Sequence, residues 1–148
     1  MIRVQTQDFD INHEYQLLAS KAEAGAIVTF VGLVREMNLA KKVTALHLEH
    51  YPEMTEKSLR NIVQQAKQRW DLIDVTLIHR VGTLAINQQI VFVGVSSQHR
   101  GDAFAACEFI MDYLKTQAPF WKKEYTDSGE LWLDASEKDV SAAKRWLR

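Results

Sequence analysis

Cysteine is almost absent from this chain of 148 residues, which contains Cys107 and no other. A single thiol excludes an internal disulfide and any zinc site built from paired cysteines. Cys107 follows Phe104, Ala105 and Ala106, and apolar surroundings of this kind favour a buried, inert thiol over a nucleophile. We therefore expect the chemistry of the protein to depend on other residues.

Long apolar runs and an excess of one charge are also missing. No apolar stretch approaches the ~20 residues that span a bilayer, and residues 1–5 lack the apolar core of a signal peptide. The 18 Lys and Arg residues nearly balance the 19 Asp and Glu residues, giving a formal net charge of -1. Such a chain has no overall field that attracts nucleic acid or an anionic membrane, so we expect a cytoplasmic protein in which any anion site is local.

Folding into one domain is the expectation from length and composition. Hydrophobic residues make up 47% of the chain and charged residues 25%, which is typical of a folded protein and far from the composition of disorder. The length fits one ordinary domain with its own core. We expect a single domain over residues 1–148.

Apolar periodicity predicts alternating strands and helices. Strands are predicted over residues 2–6, 26–34, 43–51, 73–81 and 90–97, with an extended segment over 120–125 and a short strand over 131–133. Helices are predicted after a cap at Asp10 or Asn12, over residues 52–70 and 102–117, and after a capping box at Ser136. Two strand–helix–strand units of these lengths favour crossover connections. The predicted fold is α+β, a single domain with a mixed sheet, two such units and a C-terminal helix.

A polar turn, Gln98-His99-Arg100-Gly101, follows the strand predicted over residues 90–97. Arg100 offers a two-pronged donor to phosphate or carboxylate, and His99 can transfer a proton near neutral pH. The start of the next helix adds anion-binding amides. A solvated turn explains the same residues equally well. A nucleophile at Ser96 or Ser97 is a weaker hypothesis, because no nucleophile-elbow motif is present.

Two lysines flank Pro119, which must end the helix predicted before it. Lys115 falls in the last helical turn and Lys122 in the extended segment, and the simple interpretation is a pair of solvated cations. If Phe120 and Trp121 are buried, they hold Lys122 close to Lys115. Two neighbouring ammonium groups depress each other's pKa, which makes one of them a candidate general acid or base.

Other familiar sites are not indicated by the sequence. His47, Glu49, His50 and His79 do not have the spacing of a zinc motif. The glycines form no phosphate-cradling loop, which argues against a nucleotide-binding fold. We expect no metal site.

Several strings of the chain resemble, in order, the large catalytic subunit of molybdopterin synthase. They are Gly25-Ala26, residues 30–35, residues 48–52 with Met54, residues 79–82, residues 95–100, residues 112–115 and residues 120–124. The last three strings are the most specific. The resemblance covers residues 25–124, and it departs at Leu33, where the family often has a basic residue.

The resemblance implies an α/β hammerhead fold and a defined reaction. This family transfers sulfur to cyclic pyranopterin monophosphate, which forms the dithiolene of molybdopterin in molybdenum cofactor biosynthesis. The sulfur comes from the C-terminal thiocarboxylate of a small ubiquitin-like subunit that ends in Gly-Gly. Two large subunits form the central homodimer of a heterotetramer. No metal or organic cofactor is implied.

The resemblance also implies roles for particular residues. Lys115 and Lys122 would be catalytic and would contact the thiocarboxylate. Further substrate contacts would come from Leu33, Val34, Arg35, His99, Arg100, Lys123 and Glu124. Among these, Arg35, His99 and Arg100 would hold the phosphate and the pterin.

Two alternatives remain open from the sequence. The chain could be a non-catalytic module that only docks a ubiquitin-like tail through a basic cleft. It could also be an unrelated enzyme that processes phosphoesters with His99 and Arg100. An assay for the dithiolene product with a thiocarboxylated partner distinguishes these alternatives from the sulfurtransferase, because only the sulfurtransferase forms the product.

Overall fold

The structure, a computed structural model, describes residues 1–38, 41–133 and 136–147, which form nine strands and four helices. The strands are β1 (Ile2–Gln5), β2 (Ala26–Leu33), β3 (Met37–Asn38), β4 (Lys41–His50), β5 (Asp74–Arg80), β6 (Gly82–Ala85), β7 (Gln89–Ser97), β8 (Phe120–Thr126) and β9 (Gly129–Leu133). The helices are α1 (Ile11–Ala19), α2 (Pro52–Arg69), α3 (Arg100–Gln117) and α4 (Glu137–Lys144).

The strands form two sheets. The first has the order β1-β5-β7-β2, in which β1 pairs with β5 in parallel and the other pairs are antiparallel. The second is antiparallel, with the order β3-β4-β8-β9 and with β6 paired to β4. The chain passes from the first sheet to the second at Gly82, whose φ of 93° suits a residue without a side chain. The predicted α+β class is confirmed.

The main core lies between the first sheet and the two long helices. Apolar residues at helical spacing on α2 and α3 pack against β5 and β7, and the largest helical contributions come from Leu59, Ile62, Phe109 and Ile110. A smaller cluster under α1 covers the opposite face with Leu18, Ile78 and Phe92. Because both faces of this sheet are covered, β5 and β7 are nearly continuous apolar runs instead of alternating ones.

The two long helices connect the sheets, whereas the sequence favoured crossovers within one sheet. Helix α2 leads from β4 in the second sheet to β5 in the first, and α3 leads from β7 in the first sheet to β8 in the second. Periodicity reveals which residues of a strand are buried, but it does not reveal the strand beside it. The consequence for function is that the C-terminal end of α3 lies where the two sheets meet.

The predicted helix starts are confirmed at both ends of the chain. The Asp10 carboxylate accepts hydrogen bonds from the amides of Asn12 and His13, and the Ser136 hydroxyl accepts one from the amide of Asp139 over 3.1 Å. In the part of the chain that the structure describes, no helix has the length and apolar character to span a membrane.

We predict that Gly25→Ala destabilises the fold by about 1–3 kcal/mol, the usual cost of forcing an added carbon into a packed site. The new Cβ would lie 2.3 Å from the carbonyl oxygen of Gln98, a backbone atom that cannot rotate away. The matched control is Gly101→Ala, whose Cβ meets nothing within 4 Å and replaces a helical glycine by a better helix former. Urea denaturation of both variants measures the difference, and equal stabilities would contradict the prediction.

Candidate active site

A tight reversal at Ala118 and Pro119 joins the end of α3 to the start of β8. Ala118 has extended backbone angles (φ −81°, ψ 134°), the conformation that a residue before proline prefers. The amide of Phe120 donates to the carbonyl of Ala118 over 2.9 Å. The reversal therefore returns the chain along the last turn of α3, beside Lys115.

Alternation along β8 decides which side chains face the end of α3. Phe120, Lys122 and Glu124 share the inner face, and Phe120 packs against the core. Trp121 falls on the opposite face and is 43% exposed. A buried Phe120–Trp121 pair was the expected link between the lysines, and for Trp121 that expectation is wrong.

Three adjoining cavities open around the two lysines, and we call them together the cleft. The inner cavity has a volume of about 360 Å³, the side cavity about 120 Å³ and the outer cavity about 740 Å³. Lys115, Lys122 and Arg35 line all three. A chain with a net charge of -1 thus concentrates three cationic side chains at one place.

The two lysines differ in their surroundings. Lys115 is exposed and Lys122 is partly buried. Burial and the neighbouring ammonium group of Lys115 lower the pKa of Lys122 to about 8, against a smaller opposing effect of the Asp139 carboxylate. Lys122 can therefore give up or accept a proton close to neutral pH, whereas an ordinary lysine stays charged.

Three of the expected wall residues lie at the cleft. Leu33 lines the inner and side cavities, and the buried Val34 lines the side cavity. Glu124 is also buried, and its carboxylate accepts a hydrogen bond of 2.8 Å from the Asn38 amide. Glu124 thus supplies fixed negative charge beside the cationic group.

Lys123 points away from the cleft. Its ammonium lies 3.4 Å from the Glu130 carboxylate and 5.1 Å from the centre of the Trp132 ring. Among the described residues, those that line the three cavities do not include Lys123. The predicted contact of the Lys123 side chain with substrate therefore has no support from its position in one chain.

His99 and Arg100 lie at the other end of α3. Both are exposed, and His99 is the residue before the first turn. Arg100 and Lys115 are fifteen positions apart on α3, which at the rise of an α-helix places them about 22 Å apart. Within one chain, the structure does not bring this predicted phosphate-binding pair to the lysines.

Sequence reasoning missed several residues of the cleft. His79 and Met111 line the inner cavity, while Asn38 and Lys138 line the outer cavity. His79 had been weighed only as a metal ligand, and its place on a buried strand was the available signal. Nothing in the sequence connected the first turn of α4, which contains Lys138, to the end of α3.

Other nucleophiles considered from the sequence are out of reach of a substrate. Ser96 and Ser97 are 0% and 2% exposed, and the Ser97 hydroxyl donates to the carbonyl of Asp71. Burial raises the pKa of the Cys107 thiol to about 11, so the thiol stays protonated at neutral pH. The prediction of a buried thiol is confirmed, and the serine hypothesis is wrong.

Comparison with known proteins gives one consistent family. The family model described as MoaE protein matches residues 4–117. A relative from Vibrio cholerae named molybdopterin synthase catalytic subunit is 58% identical over 145 residues, which is 98% of this chain and 97% of the relative.

Solved structures agree with this match. A MoaE protein from Burkholderia ambifaria, described as a molybdopterin biosynthesis protein, superposes with a TM-score of 0.84 at 54% identity, covering 99% of this chain and 97% of the other. A molybdopterin synthase structure from Staphylococcus aureus has a TM-score of 0.82 at 32% identity, covering 88% and 95%. With more than half of its length matched by the family model and nearly all of it by close relatives, the chain belongs to the MoaE protein family.

Proposed function

We propose that this chain is the catalytic subunit of a molybdopterin synthase. It transfers sulfur from the thiocarboxylate of a small ubiquitin-like subunit to cyclic pyranopterin monophosphate and so forms the dithiolene of molybdopterin. The observation that carries the proposal is the meeting of Lys115, Lys122 and Arg35 at one cleft. Both substrates are anionic, and this cleft concentrates the positive charge that binds them.

The sulfur donor is a partner protein. The Vibrio cholerae relative is named a catalytic subunit, a name that implies at least one further subunit. A thiocarboxylate at the end of a flexible tail needs an open cleft with a cation near its mouth, and Lys115 is exposed there. We propose that two copies of this chain form the centre of a heterotetramer in the cytoplasm.

The two lysines have different tasks in this proposal. Lys115 pairs with the thiocarboxylate and stabilises the oxyanion that forms when the acyl carbon is attacked. Lys122, whose pKa is lowered to about 8, transfers the proton, because an acid or base works best when its pKa is near the working pH. The sequence left this assignment open, and the difference in burial supports it.

Arg35 holds the anionic end of the pterin substrate. A guanidinium binds phosphate through two parallel hydrogen bonds, and Arg35 lines the large outer cavity with both lysines. Leu33, Val34 and Glu124 form the wall, and Lys123 takes part through its backbone.

His99 and Arg100 act on the cleft of the second copy in this proposal. Within one chain they lie about 22 Å from Lys115 along the helix, too far for a shared ligand of pterin size. A two-fold dimer places the same surface of each copy against the other, so His99 and Arg100 of one chain can face the lysines of its partner.

We predict that Lys115→Ala lowers turnover by about 10²- to 10⁴-fold, the range for loss of a general acid/base or oxyanion-stabilising group. The assay combines the protein with a thiocarboxylated small subunit and cyclic pyranopterin monophosphate and measures the dithiolene product by mass spectrometry. The matched control is Lys57→Ala, because Lys57 is exposed on α2 and belongs to none of the cavity linings.

Three outcomes are distinguished in this assay. Loss of turnover in Lys115→Ala with tail binding retained and Lys57→Ala unaffected supports the proposal. Tail binding without product in the unaltered protein identifies a docking module. Hydrolysis of simple phosphoesters without the small subunit identifies the phosphoesterase alternative.

We predict that two inactive variants, Lys115→Ala and Arg100→Ala, restore activity when their subunits are mixed. If Arg100 acts across the dimer, a mixed dimer holds one intact site and one doubly altered site, so the purified mixed dimer should recover about half of the native turnover. The variants carry different affinity tags, are co-expressed, and the doubly tagged dimer is assayed for dithiolene. Turnover that stays at the level of the single variants would show that both residues act within one chain, and full activity of Arg100→Ala by itself would show that Arg100 has no role.

A further inference from the structure

A histidine that the proposed roles leave unused lies beneath the lysines. His79 is 3% exposed and lines the inner cavity together with Lys115 and Lys122. Its ring stacks on Phe120, with the ring centres 3.9 Å apart and the planes 18° from parallel. Phe120 and Lys122 are two positions apart on the same face of β8, so the Lys122 side chain begins about 7 Å along the strand from the residue that stacks on His79.

The hydrogen bond of the ring fixes its tautomer. Nδ1 of His79 lies 2.8 Å from the carbonyl oxygen of Arg80, and a carbonyl oxygen only accepts, so Nδ1 carries the hydrogen and donates it. In a neutral imidazole the other nitrogen, Nε2, then holds a lone pair. His79 therefore supplies the inner cavity with a hydrogen-bond acceptor, Nε2.

The surroundings keep this ring neutral. Burial lowers the pKa of His79 to about 3. The hydrogen bond to the Arg80 carbonyl opposes burial, and weaker electrostatic contributions from Lys122 on β8, Lys115 on α3 and His50 on β4 lower the pKa further. Across the pH range in which Lys122 exchanges its proton, His79 therefore has no charge.

An inventory of the inner cavity shows why this acceptor matters. Among the described residues that line it, the polar side chains are those of Arg35, His79, Lys115 and Lys122. A guanidinium and an ammonium only donate hydrogen bonds. While both lysines are charged, Nε2 of His79 is thus the one nitrogen or oxygen side-chain acceptor of the inner lining, whereas the carboxylates of Glu124 and Asp139 line the side and outer cavities. An ammonium that turns toward the inner cavity needs an acceptor there, because a partly buried ammonium without one is unfavourable.

We propose that His79 is a positioning residue of the sulfur transfer, whose Nε2 accepts a hydrogen bond from the ammonium of Lys122 and directs that group toward Lys115 and the incoming tail. This inference rests on the proposed function. It assigns His79 neither charge nor proton transfer. Its task is to hold Lys122 in place and to support the charged form of the lysine against burial.

The test compares His79→Phe with His79→Gln in the complete enzyme. Phenylalanine keeps the planar shape and the stacking on Phe120, and because the native ring is neutral the change alters no charge. It removes the acceptor. Glutamine can place its carbonyl oxygen near the position of Nε2 and restore it. Turnover of the unaltered protein in the same assay is measured first, so that failure of the proposed function is recognised separately.

We expect His79→Phe to lower kcat by about tenfold or more with KM for the small subunit within about twofold. The inflection that Lys122 gives to the pH–rate profile should move to lower pH by about half a unit to one unit, since the hydrogen bond that favoured the ammonium is lost. His79→Gln should recover most of the turnover and the original inflection. A role in packing alone would reduce the melting temperature without moving the inflection.

A measurement on the unaltered protein keeps the proposal testable if His79→Phe does not fold. The ¹⁵N spectrum of histidine-labelled protein distinguishes a protonated from an unprotonated ring nitrogen, and the His79 signal is assigned with His79→Gln. We expect Nδ1–H and a hydrogen-bonded, unprotonated Nε2 throughout pH 6–9. An Nε2–H tautomer, an imidazolium in this range, or an unchanged kcat and inflection in His79→Phe would overturn the proposal.

Discussion

The reversal at Ala118 and Pro119 is the constraint on which the cleft depends. It ends α3 one turn beyond Lys115 and starts β8 so that Lys122 comes back beside it. Pairing of β8 with β4 and β9 then fixes which face of the strand meets the cleft. Because side chains alternate along a strand, Lys122 lies on that face. The two sheets and the helices that join them thereby place two cationic side chains where the sheets meet.

Placing the two cations together has a thermodynamic cost whose sign follows from the shifted pKa. The pKa of Lys122 is about 8 in the folded protein, against 10.5 for an ordinary lysine, so the folded state binds its proton less well than the unfolded chain does. The resulting destabilisation, on the order of a few kcal/mol, is fully present below pH 8 and disappears as the pH rises from 8 to 10.5. Burial of apolar side chains in the core formed by α2, α3 and the first sheet offsets this cost. In the proposed function an anionic tail and an anionic pterin relieve this repulsion when they bind, which would link substrate binding to stability.

Much of this arrangement could be predicted from the sequence, and the gaps have physical reasons. The helix containing Lys115, the stop at Pro119 and the strand containing Lys122 follow from periodicity and from the geometry of proline. Burial of Trp121 was expected because it is large and apolar, but the alternation of β8 turns it outward together with Lys123. The distance of Arg100 from Lys115 follows from the length of one helix. The proposed action of Arg100 on a second copy depends on an assembly that the pattern of a single chain does not encode. His79 was missed because its importance comes from a stack with Phe120, a contact between residues 41 positions apart in sequence.

The most direct test of the lysine pair is the titration of Lys122 itself. In protein labelled with ¹³C-lysine, the Cε signal of Lys122, assigned with Lys122→Arg, reports protonation of the ammonium as the pH is raised. Half-titration should occur near pH 8, and Lys115→Met should raise this midpoint part of the way toward 10.5, because the charge of the neighbour is removed while burial remains. A midpoint near 10.5 in the unaltered protein, indifferent to Lys115→Met, would contradict the claim that the two lysines share one cleft as a coupled pair.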